Sequence, residues 1–398
     1  ELMQLAQRLA TIKEPQTIRM AKLSREMKAK GINVTDLSLG EPDFITPEHI
    51  CEAAVKAMNE GYTKYPPVAG MPDLLNAISA KLKRDNNLDY EPKQIIVSTG
   101  AKQSLANAVL SLIDPDDEVI IPTPYWVTYS SLVQLAGGVS KFIRCGIEND
   151  FKLTPDQLEA AISSKTKLFI FSSPCNPTGS VYTRDELAAL AEVFKRYPYV
   201  AIISDEIYEY INFAGGHESI AQFTELKDRV IIVNGMSKGF AMTGWRLGYM
   251  AGPLDVVQAC EKLQAQITSG ANSITQRASI TALLSDLSPT YKMRDTFKQR
   301  RDFVTQSLME MPGVVTNHPQ GAFYAFPHIS SFFGKSAGDT KILNDEDLSM
   351  YLLNEARVAT VCGSAFGEPD CIRISFAAGM EQLEAAMVQM KAALAKLQ

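Results

Sequence analysis

Short β-rich runs alternate with longer amphipathic stretches through the middle of the chain. The runs are "QIIVS" (94–98), "EVIIP", "SKFIRC", "KLFIFSS", "VAIIS" and "VIIVNG". Between them lie "AKQSLANAVLSLI", "PDQLEAAISS" and "RDELAALAEVFKRY", whose apolar positions recur every three or four residues, the spacing that gives a helix one buried face. Strands that are apolar on both faces and separated by helices predict a largely parallel sheet covered on each side. Near residue 288 the pattern changes to a long helical stretch, "SPTYKMRDTFKQRRDFVTQSLMEM", then strand-like "GAFYAF", helical "DEDLSMYLLNEA", strand-like "CIRISFAA" and a last helix. In that last helix Leu383, Met387, Met390 and Leu394 share one stripe, so it packs against a core. The expected class is α/β, with a large unit over 46–287 and a smaller α+β unit formed by 1–45 and 288–398. The early segment joins the smaller unit because "TIRMAKLSREMKAKG" reads as a helix ahead of the doubly wound region.

Composition narrows the function classes. The 398 residues are 46% hydrophobic and 21% charged, which is ordinary globular material with room for more than one compact unit. A formal charge of −6 argues against nucleic acid as a partner, since that needs a basic face. The run "KQRR" at 298–301 reads as the solvated side of the long helix. Six scattered cysteines without a CxxC pair, and only four histidines, leave no zinc framework, so no metal is expected. No apolar segment reaches membrane-spanning length, and "ELMQLAQRLATIKEPQT" lacks the apolar core of a secretory signal. The expected location is cytoplasmic, with no membrane partner.

In open parallel sheets ligands bind beyond the carboxyl ends of the strands. After "IIVS" comes "TGAKQSL": Gly100 leads directly into a helix whose free N–H groups suit a phosphate, although the glycine could simply end the strand. The P-loop spacing GxxxxGK[ST] is absent, so nucleotide hydrolysis is not supported. After "KLFIFSS" comes "PCNPTG", either a turn or a frame that presents Asn176. After "VAIIS" comes Asp205, followed by Tyr208; a carboxylate closing a central apolar strand needs either an internal salt bridge or a cationic ligand. After "VIIVNGM" come Ser237, Lys238 and Arg246. Arginine suits a phosphate, whereas a confined lysine can lose its proton and act as a nucleophile. A phosphate cradle, buried carboxylate, amide, phenol and nucleophilic lysine form the set that pyridoxal 5'-phosphate requires.

"SKGFAMTGWRLGY", "SSPCNPTG", "SDEIYE", "STGAKQSL" and "CIRISFA" resemble, in order and over nearly the whole chain, the class I aminotransferases of the fold-type-I pyridoxal phosphate superfamily. "LSLGEPDF", "TKYPPVAG" and "PYWVTY" bring the resemblance nearest to the bacterial branch of aspartate aminotransferases. The resemblance implies a mostly parallel seven-stranded sheet with a smaller α+β domain, and ping-pong transamination between an L-amino acid and a 2-oxo acid. It implies that Lys238 is the Schiff-base lysine and proton carrier, that Asp205 pairs with the pyridine nitrogen, and that Tyr208 and Asn176 bond the ring's phenolic oxygen. It further implies that Trp126 stacks on the ring and that Gly100, the backbone of Ala101 and Lys102, the Ser237 hydroxyl and Arg246 hold the phosphate. By the same resemblance Arg373, with Asn176 and the Gly40 backbone, would grip the substrate carboxylate, and Tyr65 would reach the neighbouring subunit's phosphate in a homodimer with shared sites. "SGANSITQ" (269–276) resembles the loop bordering the partner's site, with Ala271 where a proline is expected.

The amino donor is the least defined point. An acidic side chain needs a further cation, and "QSLANAVLSLI" carries none on its inner turns. By the resemblance, Lys13 in "TIKEPQT" belongs to the stretch that lines the substrate pocket and could supply it, the alternative being a solvated surface lysine. Aspartate with 2-oxoglutarate is the first expectation. Aromatic amino acids or prephenate come next, and a carbon–sulfur lyase is the alternative within the superfamily. An effector-binding module of a transcription regulator is disfavoured by the short mixed-charge start.

Overall fold

The computed structural model describes residues 3–398. Seven strands form the main sheet: β1 (Ile95–Ser98), β2 (Glu118–Thr123), β3 (Val139–Arg144), β4 (Thr166–Ser172), β5 (Ala201–Asp205), β6 (Val230–Gly235) and β7 (Gly248–Ala251). Their spatial order is β1-β7-β6-β5-β4-β2-β3. Only β7 runs antiparallel to its neighbours; the other pairs are parallel. Six strands coincide with the apolar runs to within a residue or two. The seventh comes from "GYMA", a run too short to stand out by periodicity, and it follows the glycine-rich stretch at once.

Strands β1, β6 and β7 are buried at every position because helices cover both faces. Strand β3, at the sheet edge, is mostly exposed, which explains its mixed composition. Caps set several helix starts. Thr183 accepts from the Glu186 N–H while the Glu186 side chain returns to the Thr183 backbone, which starts the helix Arg184–Lys195.

A second, smaller core gathers around a three-stranded antiparallel sheet in the order Val361–Cys362, Ile372–Ser375, Tyr324–Ala325. The helices Ser288–Met309 and Met380–Ala395 pack on it, and Leu383, Met387, Met390 and Leu394 are all buried there. The N-terminal segment reaches the same region: Thr35–Asp36 pairs in parallel with Val358–Ala359. Among the described residues no helix is long and apolar enough to cross a membrane.

The "KQRR" run is not a solvated face. Arg300 and Arg301 are buried; Arg300 makes a two-pronged contact with Asp43 at 2.7 and 3.0 Å, and Arg301 donates to the Pro319 carbonyl. Only Lys298 and Gln299 face outward. The helix turns every 100° or so, so four consecutive polar residues cannot share one face.

Candidate active site

A cleft of about 390 Å³ opens where β4, β5 and β6 end, against the first turn of the helix Ala101–Leu112. Gly40, Ala101, Lys102, Trp126, Asn176, Asp205, Tyr208, Ser237, Lys238, Arg246 and Arg373 all line it, as do Tyr129, Ser172 and Tyr324. Of the residues expected from sequence, Gly100 lies just behind the wall and Tyr65 lies elsewhere. Tyr65 is 96% exposed and borders a separate groove with Pro66, Gly270, Ala271 and Asn272.

Asp205 is the last residue of β5 and only 3% exposed. Among the described residues the internal salt bridge considered for it is absent: it accepts from the Tyr129 hydroxyl at 2.6 Å and from the Ile207 N–H at 3.3 Å, and no cation is among its hydrogen-bond partners. Burial pushes its pKa up to about 6, against the pull of those two donors. The segment that follows is anchored on its other side. Glu206 accepts from the Ser204 and Ser219 hydroxyls and meets His217 Nε2 at 2.7 Å. Glu209 takes Lys81, Asn86 and Asn234. Such satisfied buried carboxylates fix the backbone that carries Asp205 and Tyr208.

Lys238 extends from the loop after β6 and donates to the Gly40 carbonyl. Burial, with the charges of Arg373 and Arg246, lowers its pKa to about 8 despite the opposing charges of Glu41 and Asp205. A neutral amine, the form able to attack a carbonyl, is therefore about a tenth of the population at pH 7, far more than for an ordinary lysine.

The anion-binding corner is built by glycines. Gly100 has φ +84° and precedes the helix, leaving the first N–H groups unpaired toward the cleft. A Cβ on Gly100 would fall 2.3 Å from Arg246 Nη2, and one on Gly248 would fall 2.2 Å from the Ala101 nitrogen. Arg246 itself holds φ +55° and donates to the Thr243 carbonyl. The buried Ser237 completes this corner.

Across the cleft, Arg373 is 2% exposed and donates to Asn176 Oδ1 at 2.9 Å and to the Ser38 carbonyl at 2.7 Å, with no carboxylate partner among the described residues. Its Nε is buried without a hydrogen-bond partner. Its guanidinium stacks 4.3 Å from the Tyr324 ring centroid, and the Tyr324 hydroxyl meets that of Tyr208 at 2.8 Å. A buried arginine without an acid invites an anionic ligand, since leaving it bare is costly.

Three side chains escaped the sequence reading. Tyr129 and Tyr324 sit inside the motifs "PYWVTY" and "GAFYAF", but neither has a local signal separating it from a core aromatic. The third is Lys102: its Nζ stands 5.0 Å from the Trp126 ring centroid. The stretch 103–113 carries no cation, as expected; Lys102 stands just ahead of it, at the second residue of the helix. Lys13 is exposed and does not line the cleft, although Thr17 does.

The family described as aminotransferase class I and II matches residues 32–389. The chain belongs to that family. It is 47% identical to an aspartate/prephenate aminotransferase from Cereibacter sphaeroides, over 99% of each chain. It is 46% identical to an aspartate aminotransferase from Geobacillus stearothermophilus, over 97% of each. Among solved structures, the aspartate aminotransferase from Rhizobium meliloti superposes with a TM-score of 0.97 at 40% identity over 100% of both chains. The Thermus thermophilus aspartate aminotransferase with maleate gives 0.93 at 35% identity, covering 98% of this chain and 100% of that one. The chain is thus an aminotransferase of fold type I that uses pyridoxal phosphate.

The residues present fit that cofactor. Its phosphate matches the helix N-terminus beside Gly100, where no Cβ intrudes, and its ring nitrogen needs an acid such as the otherwise uncompensated Asp205. A carbonyl carbon needs an amine that is not fully protonated, as Lys238 supplies.

Proposed function

We propose that this aminotransferase moves the amino group between an acidic L-amino acid and a 2-oxo acid, with aspartate and 2-oxoglutarate as the first pair, in a ping-pong cycle. The observation that carries the reading is the meeting of Lys238, lowered to about 8, with the unpaired buried Arg373 in one cleft. Pyridoxal phosphate, when bound, supplies the electrophilic carbonyl carbon and the electron-withdrawing ring.

The chain's own residues divide the remaining work. Lys238 Nζ would hold the cofactor's carbonyl carbon and, once displaced there by the substrate amine, would accept and return the substrate α-proton. Asp205 would set its negative charge against the ring nitrogen. Tyr208 and Asn176 would donate to the phenolic oxygen, and Trp126 would face the ring. The N–H groups of Ala101 and Lys102, beside Gly100, hold the phosphate with Ser237 and Arg246. Arg373 takes the substrate α-carboxylate, with Asn176 and the Gly40 backbone setting its angle.

Lys102 supplies the cation for a distal carboxylate. Its Nζ stands over Trp126 in the cleft lining, where burial together with Arg246 lowers its pKa. The neighbour from Thermus thermophilus holds maleate, itself a dicarboxylate. Prephenate also carries a second carboxylate, and the relative from Cereibacter sphaeroides names it, so it is the second reading.

We also take Tyr65, with the groove around Gly270, as the part that completes a partner's site in a homodimer, a reading supported by its full exposure away from this chain's own cleft. Segments 46–287, and 1–45 with 288–398, are read as the two domains, supported by their separate apolar cores. Six free cysteines support a reducing, cytoplasmic location.

The test is a panel of amino donors in single half-reactions. Glutamate and aspartate should convert the cofactor to its amine form with release of the oxo acid. Lys102→Met should lower kcat/KM roughly tenfold for acidic donors and little for aromatic ones, the size expected for one charge-assisted contact. Reaction with aromatic donors alone would remove the acidic specificity, and elimination without oxo-acid release would point to a carbon–sulfur lyase.

A further inference from the structure

Tyr129 has no part in the assignments above, yet it holds the carboxylate on which they depend. It lies in the first turn of the helix Thr128–Leu135, is 2% exposed, and is braced edge-on by Trp126 at 5.8 Å between ring centroids. Its hydroxyl donates to Asp205 Oδ2 at 2.6 Å, while Oδ1 takes only the longer Ile207 N–H contact at 3.3 Å.

A phenol and a cation act differently on a buried carboxylate. Lysine or arginine would keep it ionised but neutralise it, leaving no charge for a ligand. A phenol stabilises the ionised form by donating a proton bond and adds no charge of its own. The other titratable groups around Asp205 do not replace it. Glu206 opposes ionisation and is turned to the far side of the strand, whereas Lys238 favours it from across the cleft. Cys175 and Tyr208 are near enough to feel the Asp205 charge, but neither hydrogen-bonds the carboxylate.

We propose that Tyr129 is a positioning residue that keeps Asp205 ionised and rotationally fixed, so that its charge stays available to the cofactor's ring nitrogen. The inference rests on the reading of Asp205 as the partner of that nitrogen. Burial and the adjacent Asp205 push the phenol's own pKa well up, so Tyr129 remains a donor throughout the physiological range. Removing it leaves burial less opposed, and Asp205 takes up its proton at higher pH.

Pyridoxamine 5'-phosphate, which lacks the aldehyde and binds without a bond to Lys238, is the probe. Its Kd is measured by calorimetry from pH 5.5 to 8 on the full chain, wild type, Tyr129→Phe, Asp205→Asn and the double variant. Asp205→Asn should weaken binding and flatten its pH dependence. Tyr129→Phe, which keeps the ring packing, should move the acid limb up by about one pH unit, the equivalent of one hydrogen bond to a charged group. In the Asp205→Asn background it should add nothing. If Asp205→Asn weakens binding but Tyr129→Phe follows wild type at every pH, the role of Tyr129 is refuted while that of Asp205 survives. An equal loss at all pH values in both backgrounds would reduce Tyr129 to packing and overturn the inference. Unchanged binding by Asp205→Asn overturns both.

Discussion

Arg373 and Asn176 meet side chain to side chain, Nη1 to Oδ1 at 2.9 Å, and join the strand Ile372–Ser375 to the loop that follows β4. The bond holds the guanidinium fork without satisfying its charge, so the arginine is oriented before any ligand arrives. Pre-ordering of this kind reduces the entropy lost on binding.

Arg373→Lys keeps the charge and discards the fork. We expect kcat/KM for both amino and oxo acids to fall about a hundredfold, near 3 kcal/mol for a buried charge-assisted pair. Cofactor affinity should hold steady. Steady-state kinetics beside a cofactor titration separates the two.

Lys238 titrates near 8 rather than in the usual lysine range because burial and two guanidinium groups disfavour its charged form. The sign follows directly: the amine is protonated below that value and neutral above it. In protein freed of cofactor, the rate of covalent capture of pyridoxal phosphate should climb with pH and level off above about 8. Arg373→Leu should move that midpoint upward. Stopped-flow absorbance follows both.

Gly100→Ala places a methyl 2.3 Å from Arg246 Nη2 on a backbone at φ +84°. Arg246 must withdraw, and the strained turn adds roughly 1–3 kcal/mol. The expected result is at least a tenfold loss of pyridoxal phosphate affinity with the global fold retained. Equilibrium dialysis and far-ultraviolet circular dichroism check the two halves.

Asp43 and Arg300 tie the N-terminal segment to the long helix, with side chains 30% and 9% exposed respectively. Phe44 and Phe297 flank the guanidinium at 5.3 and 5.5 Å. Asp43→Ala should cost about 1–3 kcal/mol, between the values for exposed and fully buried pairs. Urea denaturation of the cofactor-free protein reads this directly, and a loss below measurement error would make the pair incidental.

The elements and their order were legible because burial marks the chain: short continuous apolar runs where strands are covered on both faces, and a spacing near four in helices. The six apolar runs became six strands of one sheet. The pattern could not expose the edge position of β3, nor the short β7 carried by "GYMA". Gly100, Asp205 and Lys238 could be picked out because each breaks the apolar pattern just past a strand end, where parallel sheets place ligands.

Contacts across long stretches of chain left no such trace. Arg373 and Asn176 are 197 positions apart, Tyr129 and Asp205 76, and Lys238 and Gly40 198. The exposed reading of "KQRR" went astray for the same reason, and no local signal told that Lys102 rather than Lys13 would line this chain's cleft. Local composition governs which segments bury a face, since that preference is written in each residue's own solvation. Which charge stands beside which, and so whether a lysine titrates near 8 or an aspartate near 6, depends on neighbours and desolvation that exist only after the sheet and the smaller unit have packed together.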